Sequence, residues 1–255
     1  MLLIILFGVV AYAQNSKLDA IIQTNKLKVC IWGEYYGISY LEPRTQTLQG
    51  IDSDLAKELA KDLHVSLEYV ESSFATLLED VNTNRCDIAM FAIGNTPQRA
   101  QKVRFTTPHL SSDIYAITTK SNQKIKRWED IDKKGVVIAV AKGTYHEPVM
   151  KSKLKNGELL VVNNYHAREQ EVKSGRADVF MTDYPFGKRM LAQTNWAKLI
   201  IPSSTYHLTE YAWVMNYGDD KWYNRVEKFI KDIKQDGRLL QYAQKNGLEP
   251  IVKLH

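Results

Sequence analysis

Residues 87–105 read D-I-A-M-F-A-I-G-N-T-P-Q-R-A-Q-K-V-R-F, and the fold turns on them. The apolar run at 88–93 is the signature of a buried strand. Thr96-Pro97 then marks a helix start, with Thr as N-cap and Pro in the first helical position. Arg99 therefore falls in the first turn, beside the N–H groups of Gly94, Asn95 and the helix start. Positive charge and free donors meeting at a strand end suit a carboxylate. An Arg in a first turn is read equally well as a surface residue paired with an acid, so the rest of the chain has to decide.

Working outward, the same strand–helix alternation recurs. Residues 27–32, L-K-V-C-I-W, make a compact strand, followed by the loop G-E-Y-Y-G-I-S-Y. Residues 50–63 place Ile51, Leu55, Leu59, Ala60 and Leu63 on one helical face, with Asp52 and Asp54 at the favourable end of the dipole and structural in role. A strand at 65–70, a helix at 74–81 and a strand at 87–91 complete an α/β series with a parallel sheet. Ligands bind such sheets beyond the C-terminal strand ends, where Trp32, Tyr35, Phe74, Phe91, Ala92 and Arg99 fall. These aromatic residues serve equally as pocket wall or as core cover.

An extended segment at 113–119 and a polar tract at 120–126 mark a crossing into a second series. It has strands at 136–140, 159–162 and 177–181, helices between them, and a last helix at 184–192. A second extended crossing at 211–215 leads to helices at 219–234 and 238–245. The expected architecture is α/β with two lobes, each a mainly parallel sheet flanked by helices. Residues 17–112 and 212–255 form a discontinuous first lobe and 113–211 the second, joined by a two-strand hinge that favours closure on a ligand.

Residues 1–13, M-L-L-I-I-L-F-G-V-V-A-Y-A, end in a small-x-small pattern and predict a secretory signal cleaved near Ala13, although no Lys or Arg precedes the apolar core. This stretch is too short to span a bilayer. The net charge of +5 is spread along the chain. Its densest cluster, from Lys221 to Arg238, is interleaved with Glu227, Asp232 and Asp236, which argues for a solvated helix face and against nucleic acid. Two cysteines in an oxidising compartment invite a disulfide. However, Cys30 lies late in one strand and Cys86 at the start of another, an offset of roughly 10 Å between parallel neighbours, so two buried free thiols are expected. The six histidines lack metal-ligand spacing, and there is no nucleophile elbow, phosphate loop or C-x-x-C. No metal or cofactor is expected.

With these residues in place, the chain resembles the bacterial family 3 extracellular solute-binding proteins, receptors of polar amino-acid ABC importers. Four blocks carry the resemblance in order: G-I-D-S-D-L-A-K-E-L-A-K-D-L from Gly50, T-P-Q-R-A-Q-K-V-R-F from Thr96, K-G-T from Lys142 and G-R-A-D-V-F-M-T-D from Gly175. The resemblance implies that Arg99 grips a ligand α-carboxylate, helped by the main-chain N–H groups of Gly94 and Thr144, while Asp183 takes the α-ammonium. Gly94 stands where a Ser or Thr hydroxyl is common, Trp32 where basic-amino-acid receptors often carry Asp, and Phe91 and Ala92 where small residues such as Gly or Ser are usual. A wall of Trp32, Tyr35, Phe74 and Phe91 favours an apolar, aromatic or stacked side chain, and Glu34 is the nearby acid for a cationic one.

The implied function is that of a monomeric periplasmic protein that delivers an amino acid to a membrane permease without performing chemistry. The alternative on the same fold is a cyclohexadienyl dehydratase, which needs a general acid to act on prephenate or arogenate. In that family a Glu follows the Asp183 equivalent by three residues, where this chain has Phe186.

Overall fold

The computed structural model describes residues 16–255, so the expected leader and its cleavage site lie outside the described residues. In chain order the strands are β1 (Lys26–Ile31), β2 (Glu34–Tyr35), β3 (Ser39–Glu42), β4 (Thr47–Gln49), β5 (Ser66–Glu71), β6 (Ile88–Gly94), β7 (Arg104–Phe105), β8 (Leu110–Ser112), β9 (Tyr115–Thr119), β10 (Val137–Ala141), β11 (Glu158–Val162), β12 (Val179–Thr182), β13 (Ala197–Ile200) and β14 (Thr209–Met215). The first sheet runs β5-β1-β6-β14-β7, with β8 also on β14, and the second runs β11-β10-β12-β9-β13. In each, three strands tied by helical crossovers are parallel, and the strands at which the chain changes sheet run antiparallel to them. A small antiparallel sheet, β2-β3-β4, holds the Tyr-rich loop.

Local chemistry explains the elements that position the site. Strand β6 is buried at every residue, as its unbroken apolar run requires when both faces are covered. Helix Ile51–Asp62 begins after Gly50, whose φ is 122°. A Cβ there would stand 2.4 Å from the Ile38 carbonyl, so only glycine fits.

Asp52, in the first turn of that helix, is fully buried. Its Oδ2 accepts the Ala92 N–H at 2.6 Å, while Oδ1 accepts the Trp213 indole N–H at 2.9 Å and lies 3.0 Å from His109 Nε2. One carboxylate thus ties the helix to β6 and β14, the structural role expected of it. Ala92 adopts a left-handed φ of 47° and faces a register shift between Ala212 and Val214. The bulge bends β6 just before it delivers Gly94 to the site.

The chain leaves the first sheet after β8 and returns at β14. Asp113 clamps the two crossings together: its Oδ2 accepts the Tyr206 N–H at 2.8 Å and its Oδ1 the His207 N–H at 2.6 Å. Helix Lys17–Thr24, the β2–β4 sheet and strands β7, β8 and β13 went unread in the sequence.

The expectation of two free thiols is overturned. Cys30 and Cys86 form a disulfide, with their Cα atoms 5.5 Å apart. The offset argument assumed an extended chain at Cys86, but β6 starts only at Ile88. Asn84, at a left-handed φ of 59°, turns the chain just before. Asp87 then pins it to β1, its N–H donating to the Lys28 carbonyl at 2.9 Å and its Oδ2 accepting the Lys28 N–H at 2.8 Å.

Candidate functional site

Thr96 caps the short helix Pro97–Ala100, its Oγ1 accepting the Arg99 N–H at 3.3 Å. That turn sends the Arg99 side chain inward, where it is 7% exposed. Its Nη1 donates to the Gly94 carbonyl at 3.0 Å and its Nη2 to the Gly143 carbonyl at 2.8 Å. Gly143 follows β10 of the other sheet, so the guanidinium bridges the two. Its ζ carbon lies 5.3 Å from the Phe74 ring centroid, and no acid of the described residues pairs with it. Burial lowers its pKa to about 10, which leaves it cationic at neutral pH.

Asp183 closes β12 and caps helix Tyr184–Gln193, its Oδ1 accepting the Phe186 N–H at 3.3 Å. It is 1% exposed. Its Oδ2 accepts the Tyr211 hydroxyl at 2.7 Å and that of Tyr35 as well. Burial raises its pKa above the ordinary carboxylate value, against the opposing effect of these three donors. Tyr35 belongs to β2 and Tyr211 to β14, so this anion also gathers groups from outside its own sheet.

An aromatic cage surrounds both charges. The Trp32 ring stands edge-on to Tyr165 at 4.4 Å and to Phe74 at 5.3 Å, and Phe91 backs Phe74 at 5.1 Å. Tyr145 and Tyr211 join their hydroxyls at 3.1 Å. Burial pushes the hydroxyls of Tyr35, Tyr145, Tyr165 and Tyr211 above the usual phenol range, so all four stay protonated. At Gly143, with φ of 78°, a Cβ would meet the Phe74 carbonyl at 2.8 Å and the Ala75 Cα at 2.9 Å. A glycine at this point lets the two sheets' loops touch.

The structure thus brings together Arg99, Asp183, Gly94, Thr144, Trp32, Tyr35, Phe74 and Phe91, with Ala92 behind them. Glu34 is not among them: it lies in the β2–β3 hairpin with its side chain exposed, because its neighbour Tyr35 takes the inward position of the alternating pair. The assisting donors are also less free than the sequence suggested. The Thr144 N–H donates to the Ala141 carbonyl at 3.3 Å, and that of Asn95 to Glu210 at 2.8 Å.

Sequence reasoning missed Tyr145, Tyr165, Tyr211, His146 and Arg168, all of them buried. Tyr145 follows directly on the K-G-T block, the signal that could have found it. Tyr165 and Arg168 sit on helix Tyr165–Lys173, whose charged composition looks solvated. Burial, and secondarily Arg168, lower the His146 pKa to about 3, so its ring is neutral. No cluster of His, Cys, Asp and Glu among the described residues is arranged for a metal, and no helix among them is long and apolar enough to cross a membrane.

Two sheets joined by two crossings, with charge buried where they meet, define the two-lobed type II class of periplasmic binding proteins. The chain belongs to the bacterial extracellular solute-binding proteins, family 3, whose profile matches residues 27–249. It is similar to the cyclohexadienyl dehydratase of Pseudomonas aeruginosa, 29% identical over 232 residues that cover 90% of this chain and 85% of the relative. The crystal structure of an ancestral amino acid-binding protein, a precursor of cyclohexadienyl dehydratase, superposes with a TM-score of 0.83 at 30% identity, covering 90% of this chain and 99% of that one. A Streptococcus pneumoniae amino acid ABC transporter substrate-binding protein bound to L-arginine has the same fold, with a TM-score of 0.82 at 24% identity over 93% of this chain and 99% of that one.

Proposed function

We propose that this protein captures an amino acid between its lobes and hands it to an ABC permease in the membrane of an exporting cell, acting outside the cytoplasm as a monomer. The lobes are residues 17–112 with 212–255, and residues 113–211. Arg99 holds the ligand α-carboxylate with the three N–H donors it does not spend on carbonyls, and Asp183 holds the α-ammonium. The observation that carries the reading is the Arg99 guanidinium itself, buried without an acid partner across a cage from a buried carboxylate. Burying an unpaired charge costs several kcal/mol, a cost that a bound zwitterion offsets by pairing both groups. Because Arg99 and Asp183 sit on different sheets, the ligand favours the closed form over the open one.

A dehydratase is the second reading, favoured by the likeness to the Pseudomonas aeruginosa enzyme. Against it stands Phe186, buried beside Tyr165 and Tyr36, a side chain with no proton to give. Burial raises the Asp183 pKa against the donors Tyr35, Tyr211 and the Phe186 N–H, and the Tyr35 and Tyr211 hydroxyls are themselves held well above the usual phenol range, too high for proton donation near neutrality.

The test is a thermal-shift screen of the purified chain against the amino acids, prephenate and arogenate, with each hit assayed for product. Ligands that bind only the folded state raise Tm by mass action. A shift with an amino acid and no turnover supports the receptor. Conversion of prephenate or arogenate to an aromatic product overturns it in favour of the enzyme.

A further inference from the structure

Behind Asp183 the second lobe hides a cation that the amino-acid reading leaves unused. Arg168 is 0% exposed. Its guanidinium lies over three aromatic rings, with the ζ carbon 3.9 Å from the Tyr165 centroid, 4.4 Å from Phe180 and 4.7 Å from Phe186. Nη1 donates to the Met181 carbonyl at 2.7 Å. Nε and Nη2 have no hydrogen-bond partner. Those two atoms form one edge of the guanidinium, the parallel pair of N–H groups that takes a carboxylate in bidentate fashion.

Other polar atoms in the neighbourhood are unsatisfied as well. His146 is buried with both ring nitrogens unpartnered and lies close enough to Arg168 for its charge to act on the ring, and Thr182 Oγ1, next to Met181, is also unpaired. Of the eight such atoms among the described residues, five belong to these three side chains. Glu169 feels the Arg168 charge but forms no ion pair with it. On the cleft side, Asp183 and Tyr35 are near enough to act on Arg168 in turn.

We propose that Arg168 determines specificity by receiving a second anionic group of the ligand, so that the cleft takes an amino acid bearing an additional carboxylate. This rests on the amino-acid reading of the same cleft. The balance of fully buried charge points the same way: Arg99 and Arg168 oppose Asp183, while Glu169, which also acts on Arg168, is only half-buried and keeps its contact with water. A neutral zwitterion leaves one positive charge uncompensated in the closed site, a basic amino acid leaves two, and an acidic one leaves none. Uncompensated charge in a water-excluded site is costly. The one acid expected near a cationic side chain, Glu34, is exposed.

The experiment is calorimetry of the purified chain with glutamate, glutamine, aspartate, asparagine, lysine and arginine. The acid of each isosteric pair is expected to bind at least about tenfold more tightly than its amide, with the basic pair weakest. Arg168→Met is expected to weaken binding of the acid by about 30-fold or more while leaving the amide within about threefold. Should Arg168→Met fail to fold, Arg168→Lys, which keeps the charge and loses the planar fork, is expected to fall between it and the parent. An amide that binds as tightly as its acid, a basic amino acid that binds best, or an Arg168 variant that weakens acid and amide alike overturns this assignment and leaves the receptor reading standing. Failure of every amino acid to bind overturns that reading itself.

Discussion

Arg99→Ala removes the buried cation on which the receptor reading depends. The guanidinium has five N–H donors, and two are engaged at the Gly94 and Gly143 carbonyls. Three remain, enough for a bidentate grip on a carboxylate. Charge-assisted hydrogen bonds contribute about 1.5–3 kcal/mol each, so losing two costs about 3–6 kcal/mol. The dissociation constant should rise by about 10²–10⁴.

The assay is a calorimetric cycle of parent and variant against the amino acid and its decarboxylated amine. The parent should prefer the amino acid strongly, and the variant should bind both with similar weak affinity. A variant that folds and binds the amino acid within about threefold of the parent refutes the carboxylate assignment.

Two other perturbations separate site from scaffold. Burial raises the Asp183 pKa in the fold, so the folded state holds that proton more tightly than the unfolded chain, and stability falls as pH rises from the unfolded pKa through the folded one. Empty Asp183→Asn should therefore melt above the parent at pH 7, with the gap closing below about pH 4, and it should bind an amino acid worse while sparing the deaminated analogue; an equal loss for both ligands removes the ammonium role. The disulfide closes a separation of 56 residues, which chain entropy values at about 4 kcal/mol. Urea unfolding of the reduced protein, or of the Cys30→Ala, Cys86→Ala double variant, should show that loss with ligand affinity retained, and coincident oxidised and reduced transitions would contradict it.

The frame of the fold was legible because it depends on local signals. The run at 88–93 became the fully buried β6, and Thr96 caps the helix that presents Arg99. The Cys30–Cys86 link was not legible, because it hangs on a left-handed turn at Asn84 that strand geometry alone does not foretell. The cage was legible only in part. Trp32, Tyr35 and Phe74 lie at strand ends of the first series, where the sheet topology directs attention. Arg168 sits within Y-H-A-R-E-Q-E-V-K, a helix with little apolar periodicity, and only the packing of three rings from elsewhere on the chain turns it inward. Glu34 failed for the converse reason: proximity in sequence to Trp32 and Tyr35 says nothing about which side of a hairpin a side chain takes.

Trp32 gives the molecule an optical consequence. It packs on Tyr35 and Phe74 beside β1 and on Tyr165, from the helix between β11 and β12 of the other sheet. Trp213 and Trp222 are fully buried away from that contact. Separation of the two sheets would strip Tyr165 from one face of the Trp32 indole and admit water, shifting its emission to the red. Against the half-buried Trp128 and Trp196, Trp32 is thus a built-in fluorophore whose colour would report such a separation without any label.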